Sequence, residues 1–314
     1  MDLTASAPNG NGLTDLVVDA LIASETEPAP PALRQRVLAA AQAQRAPGRP
    51  TDTAPISPVE GYLRTGAELD DLLASLDAAD WDALVEPYNW TVQGLVGHLL
   101  AIERLLGTRL GVDDFEAAAD LEADHIAVSL ETVNGQAGRD PATTLTDWRL
   151  AARRVRDALE AGVDLEARVP FHGVNYRWSS LLAARTLEVW THADDIRRAT
   201  GRDLVAPDGE RLALLTDLAV RTLPLRLALT GGAEAPVGTI RVVLTGPGGG
   251  AWQESLGSGA GADESGPQVR IVADAVAFCR LSAGRLAASE LGATIEGDQD
   301  LAAAVLVASA AFAV

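Results

Sequence analysis

From Pro58 to Gly201 the apolar residues recur at helical spacing, and no other feature constrains the fold of this chain as much. In Pro58–Ala79, the residues Tyr62, Leu63, Leu69, Leu72, Leu73 and Leu76 gather near one helix face. The stretch WDALVEPYNW breaks the pattern, and Thr91 is placed to cap a second helix, VQGLVGHLLAIERLLGTRL, that Gly111 stops. A third helix is expected over Phe115–Gln136. GRDP interrupts it, with Pro141 near the start of the helix running through Thr144–Ala161. VDLEARVPFHGVNYRW reads as irregular or extended, and Ser179 or Ser180 is expected to cap a helix reaching about Thr200. Four or five helices with short connections are the mark of a helical bundle.

The pattern changes after Gly201. One helix is expected over Gly209–Leu229, strands over 239–246 and 268–273, and a further strand at Trp252–Leu256. Asp274 should cap a helix running to about Ala288, ATIEGD returns as a strand or turn, and Leu301–Ala311 closes as a helix. Ahead of the bundle, residues 1–55 read as a polar, Pro-rich tail and linker with one or two short helices. Within it, PPALRQRVLAAA resembles a segment of actinobacterial anti-sigma regulators. The expected organisation is therefore a tail over 1–55, a helical bundle over 56–205 and a small α+β domain over 206–314.

Composition supports a mainly α chain: 47% of residues are hydrophobic, chiefly the helix formers Ala and Leu with Val, and only 4% are aromatic. A formal charge of −19 argues against nucleic acid and anionic membrane partners. The lone cysteine, Cys279, permits no internal disulfide and no CxxC metal site. The chain opens without a basic segment followed by an apolar core, so no signal peptide is expected and the cytoplasm is the expected compartment. Leu301–Val314 is apolar but short for a membrane span.

The histidines are few: His98, His125, His172 and His192. His98 lies mid-helix among Leu95, Leu99 and Ile102. His192 follows Glu188 by four residues, so both side chains share a helix face and can converge on one ion. A third ligand from another helix would complete a tripod with a position left open, the usual arrangement of catalytic zinc. The residues alone leave other readings open. A histidine on an apolar face is equally a hydrogen-bonded core residue, and Glu-x-x-x-His is equally a helix-surface contact.

WDALVEPYNWTVQGLVGHLLAIERLL resembles the opening of the mycothiol-dependent maleylpyruvate isomerase family, one of the DinB-like bundles. RWSSLLAARTLEVWTHADDIRRATGR resembles that family's later metal helix, E-x-x-x-H followed closely by Asp. The resemblance covers about 58–205, and the second domain more loosely. It implies a DinB-like four-helix bundle followed by a sterol-carrier-like α+β domain, with His98, Glu188 and His192 as ligands of Zn2+ or another divalent metal. It also implies mycothiol as thiol cosubstrate and a functional arginine in the second domain. Arg285 is the best match to that arginine, with Arg280 behind it; it could clamp a substrate carboxylate or equally be an ordinary solvated arginine.

Other groups carry plainer readings. Asp195 could orient His192 or be a solvated charge. His125 and His172 read as structural or surface residues, and Cys279 as a buried thiol. Trp81, Trp90, Trp178 and Trp190 read as packing anchors. The glycine-rich loop 245–267 lacks a phosphate-binding pattern.

The expected activity is a zinc-dependent, mycothiol-using isomerisation: thiolate addition to an activated double bond, rotation, and elimination. The alternatives are a mycothiol S-transferase acting on electrophiles and a non-catalytic metal or ligand-binding regulator. The expected partners are a small electrophile or dicarboxylate, with the chain a monomer or homodimer.

Overall fold

The computed structural model describes residues 56–86, 88–112, 125–171, 174–231, 235–257 and 266–310, all within one unit, Pro47–Val314. The expected tail helices and His172 lie outside the described residues, as do the first part of the expected third helix and the side chain of His125.

Ser57 starts the first helix, α1 (Pro58–Ala74), by accepting a hydrogen bond from the Glu60 amide at 3.1 Å, with Pro58 in the first turn. It ends at Ala74, short of the expected Ala79, where Ser75 caps the last turn and a 3₁₀ turn over Asp80–Asp82 follows. WDALVEPYNW forms a short antiparallel ladder, β1 (Leu84–Val85) against β2 (Trp90–Thr91). Thr91 then caps α2 (Val92–Arg109) through the Gly94 amide at 3.0 Å, as its position predicts. Gly111, at φ 78°, takes the left-handed conformation that lets the chain leave that helix. Next come α3 (His125–Asn134) and α4 (Pro141–Glu160).

The segment expected to be irregular is a hairpin, β3 (Arg168–Phe171) with β4 (Val174–Arg177). It leads directly into α5 (Trp178–Ala199). Neither Ser179 nor Ser180 caps this helix. The preceding residue, Arg177, makes no side-chain cap, and the free amides of Trp178 and Ser179 are taken by the carbonyls of Ala167 and Leu165 at 3.1 and 3.0 Å.

The expected single helix over Gly209–Leu229 is two, α6 (Gly209–Arg221) and α7 (Leu223–Gly231). Pro224 lacks an amide hydrogen and crowds the carbonyl four residues earlier, so it cannot sit inside a continuous helix. The strands β5 (Gly238–Thr245), β6 (Gly250–Leu256), β7 (Val269–Asp274) and β8 (Thr294–Gly297) form one sheet in the order β6-β5-β7-β8. The β5–β7 pair is parallel and the outer pairs are antiparallel. Asp274 caps α8 (Ala275–Ser282), which ends earlier than expected because Gly284, at φ 69°, turns the chain. The described chain closes with α9 (Gln299–Ser309).

The fold is mainly α, a DinB-like bundle followed by a small α+β part. Two cores result, and α5 serves both. Leu181, Leu182, Val189 and Ile196 pack in the bundle core, while Leu187 and Trp190 pack with the sheet and its helices. A helix enclosed on every side can carry polar residues only where they find partners, and α5 carries the site. The glycine-rich turn between β5 and β6 has a packing reason. A side chain on Gly248 would lie 2.6 Å from the backbone nitrogen of Ala213 on α6, whose Thr216 donates to the Gly248 carbonyl at 2.8 Å. Among the described residues no helix is long and apolar enough to cross a membrane.

Candidate metal centre

The three expected ligands meet. One ligand atom each from His98, Glu188 and His192 lies within 4.8 Å of the other two, and all three residues sit deep in the protein. The two imidazoles, from α2 and α5, approach edge to face with centroids 5.3 Å apart.

Each ring has one nitrogen engaged outward and one aimed inward. Nδ1 of His98 is 2.8 Å from Oγ of Ser129 on α3, while its Nε2 lies 3.3 Å from Oε1 of Glu188. Nδ1 of His192 is 3.3 Å from Oδ2 of Asp195, and its Nε2 is buried without a hydrogen-bond partner among the described residues. Gly97 permits the Ser129 contact. A side chain there would fall 2.6 Å from Cγ of Gln136 and 3.2 Å from the Thr132 carbonyl, so only glycine lets α2 and α3 approach this closely.

Glu188 also has a divided role. Its Oε1 faces His98, while its Oε2 is ion-paired with Arg185, a fully buried guanidinium one turn earlier on α5. Behind Arg185, Tyr62 of α1 donates to the buried carboxylate of Glu103 on α2, at 2.5 and 2.6 Å from its two oxygens.

Burial pushes the Glu188 carboxyl up, but Arg185, with His98 and His192, overcomes it and holds the group well below the usual carboxylate range. Burial pushes Glu103 up, and Arg185 and Tyr62 offset this only in part. Burial also lowers His192, against the opposing pull of Asp195, so the ring stays neutral at neutral pH.

A cation fits this donor set. A neutral imidazole nitrogen buried without a partner costs free energy unless something occupies its lone pair. Here the ring shares its cluster with a second imidazole and an ionised carboxylate, each with a possible ligand atom within 4.8 Å of the others. Two histidines and one carboxylate with a side left open is a common set for catalytic zinc. Asp195 stands where the partner of a metal-bound histidine stands.

The mouth is aromatic and basic. Tyr88 stacks on Trp90 at 4.9 Å and 17°, and the two rings flank His192 and His98. Arg285, from the turn after α8, reaches across from the α+β part. It donates through Nε and Nη2 to the two oxygens of Asp195, through Nη2 to the Tyr88 hydroxyl at 2.6 Å, and through Nη1 to the Ala283 carbonyl at 2.8 Å. Arg280, the second candidate, donates to Asp194 at 2.9 Å instead. Cys279 is buried, its thiol pushed up to about 12 by burial, which keeps it an unreactive thiol. Ser129, Tyr88 and the Tyr62–Glu103–Arg185 series carry no motif and are found only through the fold.

Comparison with known proteins accords with this geometry. The model of the mycothiol maleylpyruvate isomerase N-terminal domain family matches residues 62–197, a span that holds all three ligand candidates. Two uncharacterized proteins from two strains of Mycobacterium tuberculosis are each 30% identical over 239 residues, covering 74% of this chain and 86% of theirs. The chain belongs to this isomerase family. Among solved structures, the crystal structure of the mycothiol-dependent maleylpyruvate isomerase superposes with a TM-score of 0.52 at 17% identity, covering 76% of this chain and 91% of that one. A histidine-to-alanine mutant of that enzyme gives the same TM-score at 15% identity. At these identities the likeness establishes the family's fold, bundle and α+β part together.

Proposed function

We propose that this family member is a metal- and mycothiol-dependent enzyme of the maleylpyruvate isomerase type, with His98, Glu188 and His192 holding Zn2+ or another divalent metal. The observation that carries the proposal is the buried Nε2 of His192, without a hydrogen-bond partner among the described residues, in a cluster where His98, Glu188 and His192 each bring a possible ligand atom within 4.8 Å of the others. The reaction class is addition of the mycothiol thiolate to an activated double bond, rotation about the resulting single bond, and elimination to the trans isomer with the thiol regained. A metal held here supplies the acidity that turns a bound thiol into a thiolate near neutral pH.

The chain's own residues do the rest. Ser129 and Asp195 fix the two rings so that each points one nitrogen inward. Arg185 occupies Oε2 of Glu188, which leaves Oε1 as the oxygen free to coordinate. Tyr88 and Trp90 line the mouth with flat apolar surface that limits water access.

Arg285 takes a narrower role than a free carboxylate clamp. Of its five N–H groups, four are committed to Asp195, Tyr88 and Ala283, and one on Nη1 is left. It therefore positions His192 through Asp195, and a two-pronged hold on a substrate carboxylate would require Asp195 to let go.

The test is metal analysis of the purified protein together with mycothiol-dependent isomerisation of maleylpyruvate. The wild type should carry about one equivalent of metal and turn over, while His192→Ala should lose both activities of the site. Turnover by His192→Ala at the wild-type rate would reject the catalytic reading. Thiol consumption without isomerisation would favour the S-transferase.

A further inference from the structure

A cavity of about 330 Å³ opens to solvent between α1 and α4, with Glu103 of α2 and Val189 of α5 also in its lining. His98, Glu188 and His192 do not line it. Its size falls in the range of small-molecule pockets.

The lining divides into three kinds of surface. Arg149, Arg153 and Arg156 recur at four and three residues along α4, so they stand along one face at the rim. Arg149 is tied to Asp70 at 2.5 Å, whereas among the described residues Arg153 and Arg156 form no hydrogen bond or ion pair. Leu63, Ala152 and the buried ring of Trp148 supply apolar wall. Deeper still, Tyr62 and Glu103 present a phenol and a carboxylate already bonded to each other.

Two uncommitted guanidinium groups side by side are unusual on a chain with a charge of −19, where acidic partners abound. Guanidinium pairs recognise carboxylates through charge-assisted hydrogen bonds. A phenol–carboxylate pair at depth recognises a hydroxyl, which both accepts and donates. We propose that this cavity is a second binding pocket, separate from the metal centre, for a small organic carboxylate with an apolar body and a hydroxyl at its far end. The carboxylate rests between Arg153 and Arg156, the body lies against Trp148 and Leu63, and the hydroxyl meets Tyr62 or Glu103.

The proposal does not depend on the chemistry at the metal. It is tested by calorimetric titration of the full-length protein with 4-hydroxyphenylacetate. Its neutral alcohol analogue, 2-(4-hydroxyphenyl)ethanol, serves as the uncharged control. The acid should bind, and the alcohol about tenfold or more weaker. The double variant Arg153→Ala/Arg156→Ala should weaken the acid by a similar factor.

Gly66 gives an independent check. It lines the cavity from α1, and a side chain added there meets nothing within 4 Å. Gly66→Phe should therefore fold at least as well as wild type and fill the space, abolishing the binding heat. Absence of binding by the wild type would overturn the proposal. So would undiminished binding by Gly66→Phe or by the double arginine variant, the result expected if the acid sits at the metal centre.

Discussion

Arg285 donates to both carboxylate oxygens of Asp195 at 2.8 Å, and Asp195 sits 3.3 Å from Nδ1 of His192. A turn of the α+β part thus controls the pose of a ligand candidate on a bundle helix. Removing the guanidinium by Arg285→Ala should lower metal affinity by about ten- to a hundredfold, the usual effect of losing an outer partner of a metal-bound histidine. Arg285→Lys should restore only part of it, because an ammonium lacks the planar fork. Competition with a chromogenic chelator measures this, and an unchanged affinity in Arg285→Ala would refute the positioning role.

Acidification should destabilise the metal-free protein. His192 has a folded-state pKa below its ordinary value of 6.5, so the unfolded chain takes up the proton first. Stability is then steady above about pH 6.5 and falls as pH drops through the folded value. Glu188 and Asp195, both held below their ordinary values, act in the same direction at lower pH, while Glu103, pushed up, opposes them. Urea unfolding between pH 8 and 5 should show a falling midpoint, and a rise on acidification would contradict the assignment.

Arg185 is flanked by two buried acids, so Arg185→Leu should cost about 3–5 kcal/mol by leaving them without a counter-charge. Adding Glu103→Leu should recover part of that loss, because one uncompensated carboxylate is gone. Chemical denaturation of the wild type, the Arg185→Leu and Glu103→Leu single variants and the double variant gives the coupling directly. Strictly additive losses would mean that the two groups do not interact.

Gly97→Ala should cost about 1–3 kcal/mol through overpacking against Gln136 and the backbone of α3. Because α3 carries Ser129, the same change should loosen Nδ1 of His98 and weaken metal binding. Substitution at Gly66, also on a helix but facing open space, is the matched control for propensity alone.

The ligand candidates were legible because helical periodicity is local. Glu188 and His192, four residues apart on one helix, announce a shared face without any knowledge of the fold. Joining them to His98 took the family resemblance, since the two stretches lie ninety residues apart and no spacing rule links them. The strands around 239–246 and 268–273 were legible from alternation, and the caps at Thr91 and Asp274 from their chemistry. The start of α5 misled, because distant carbonyls did the work usually given to a serine side chain. The partners of Arg285 and Arg185 were illegible for the same reason, as an ion pair across the fold leaves no mark on either local sequence.

The arginine that steadies His192 comes from beyond the bundle that holds all three ligand candidates. A fragment ending near Thr200 would keep all three ligand candidates yet release Asp195 from its anchor. If the proposed centre takes up metal, its occupancy should therefore fall when the C-terminal half is missing or undocked.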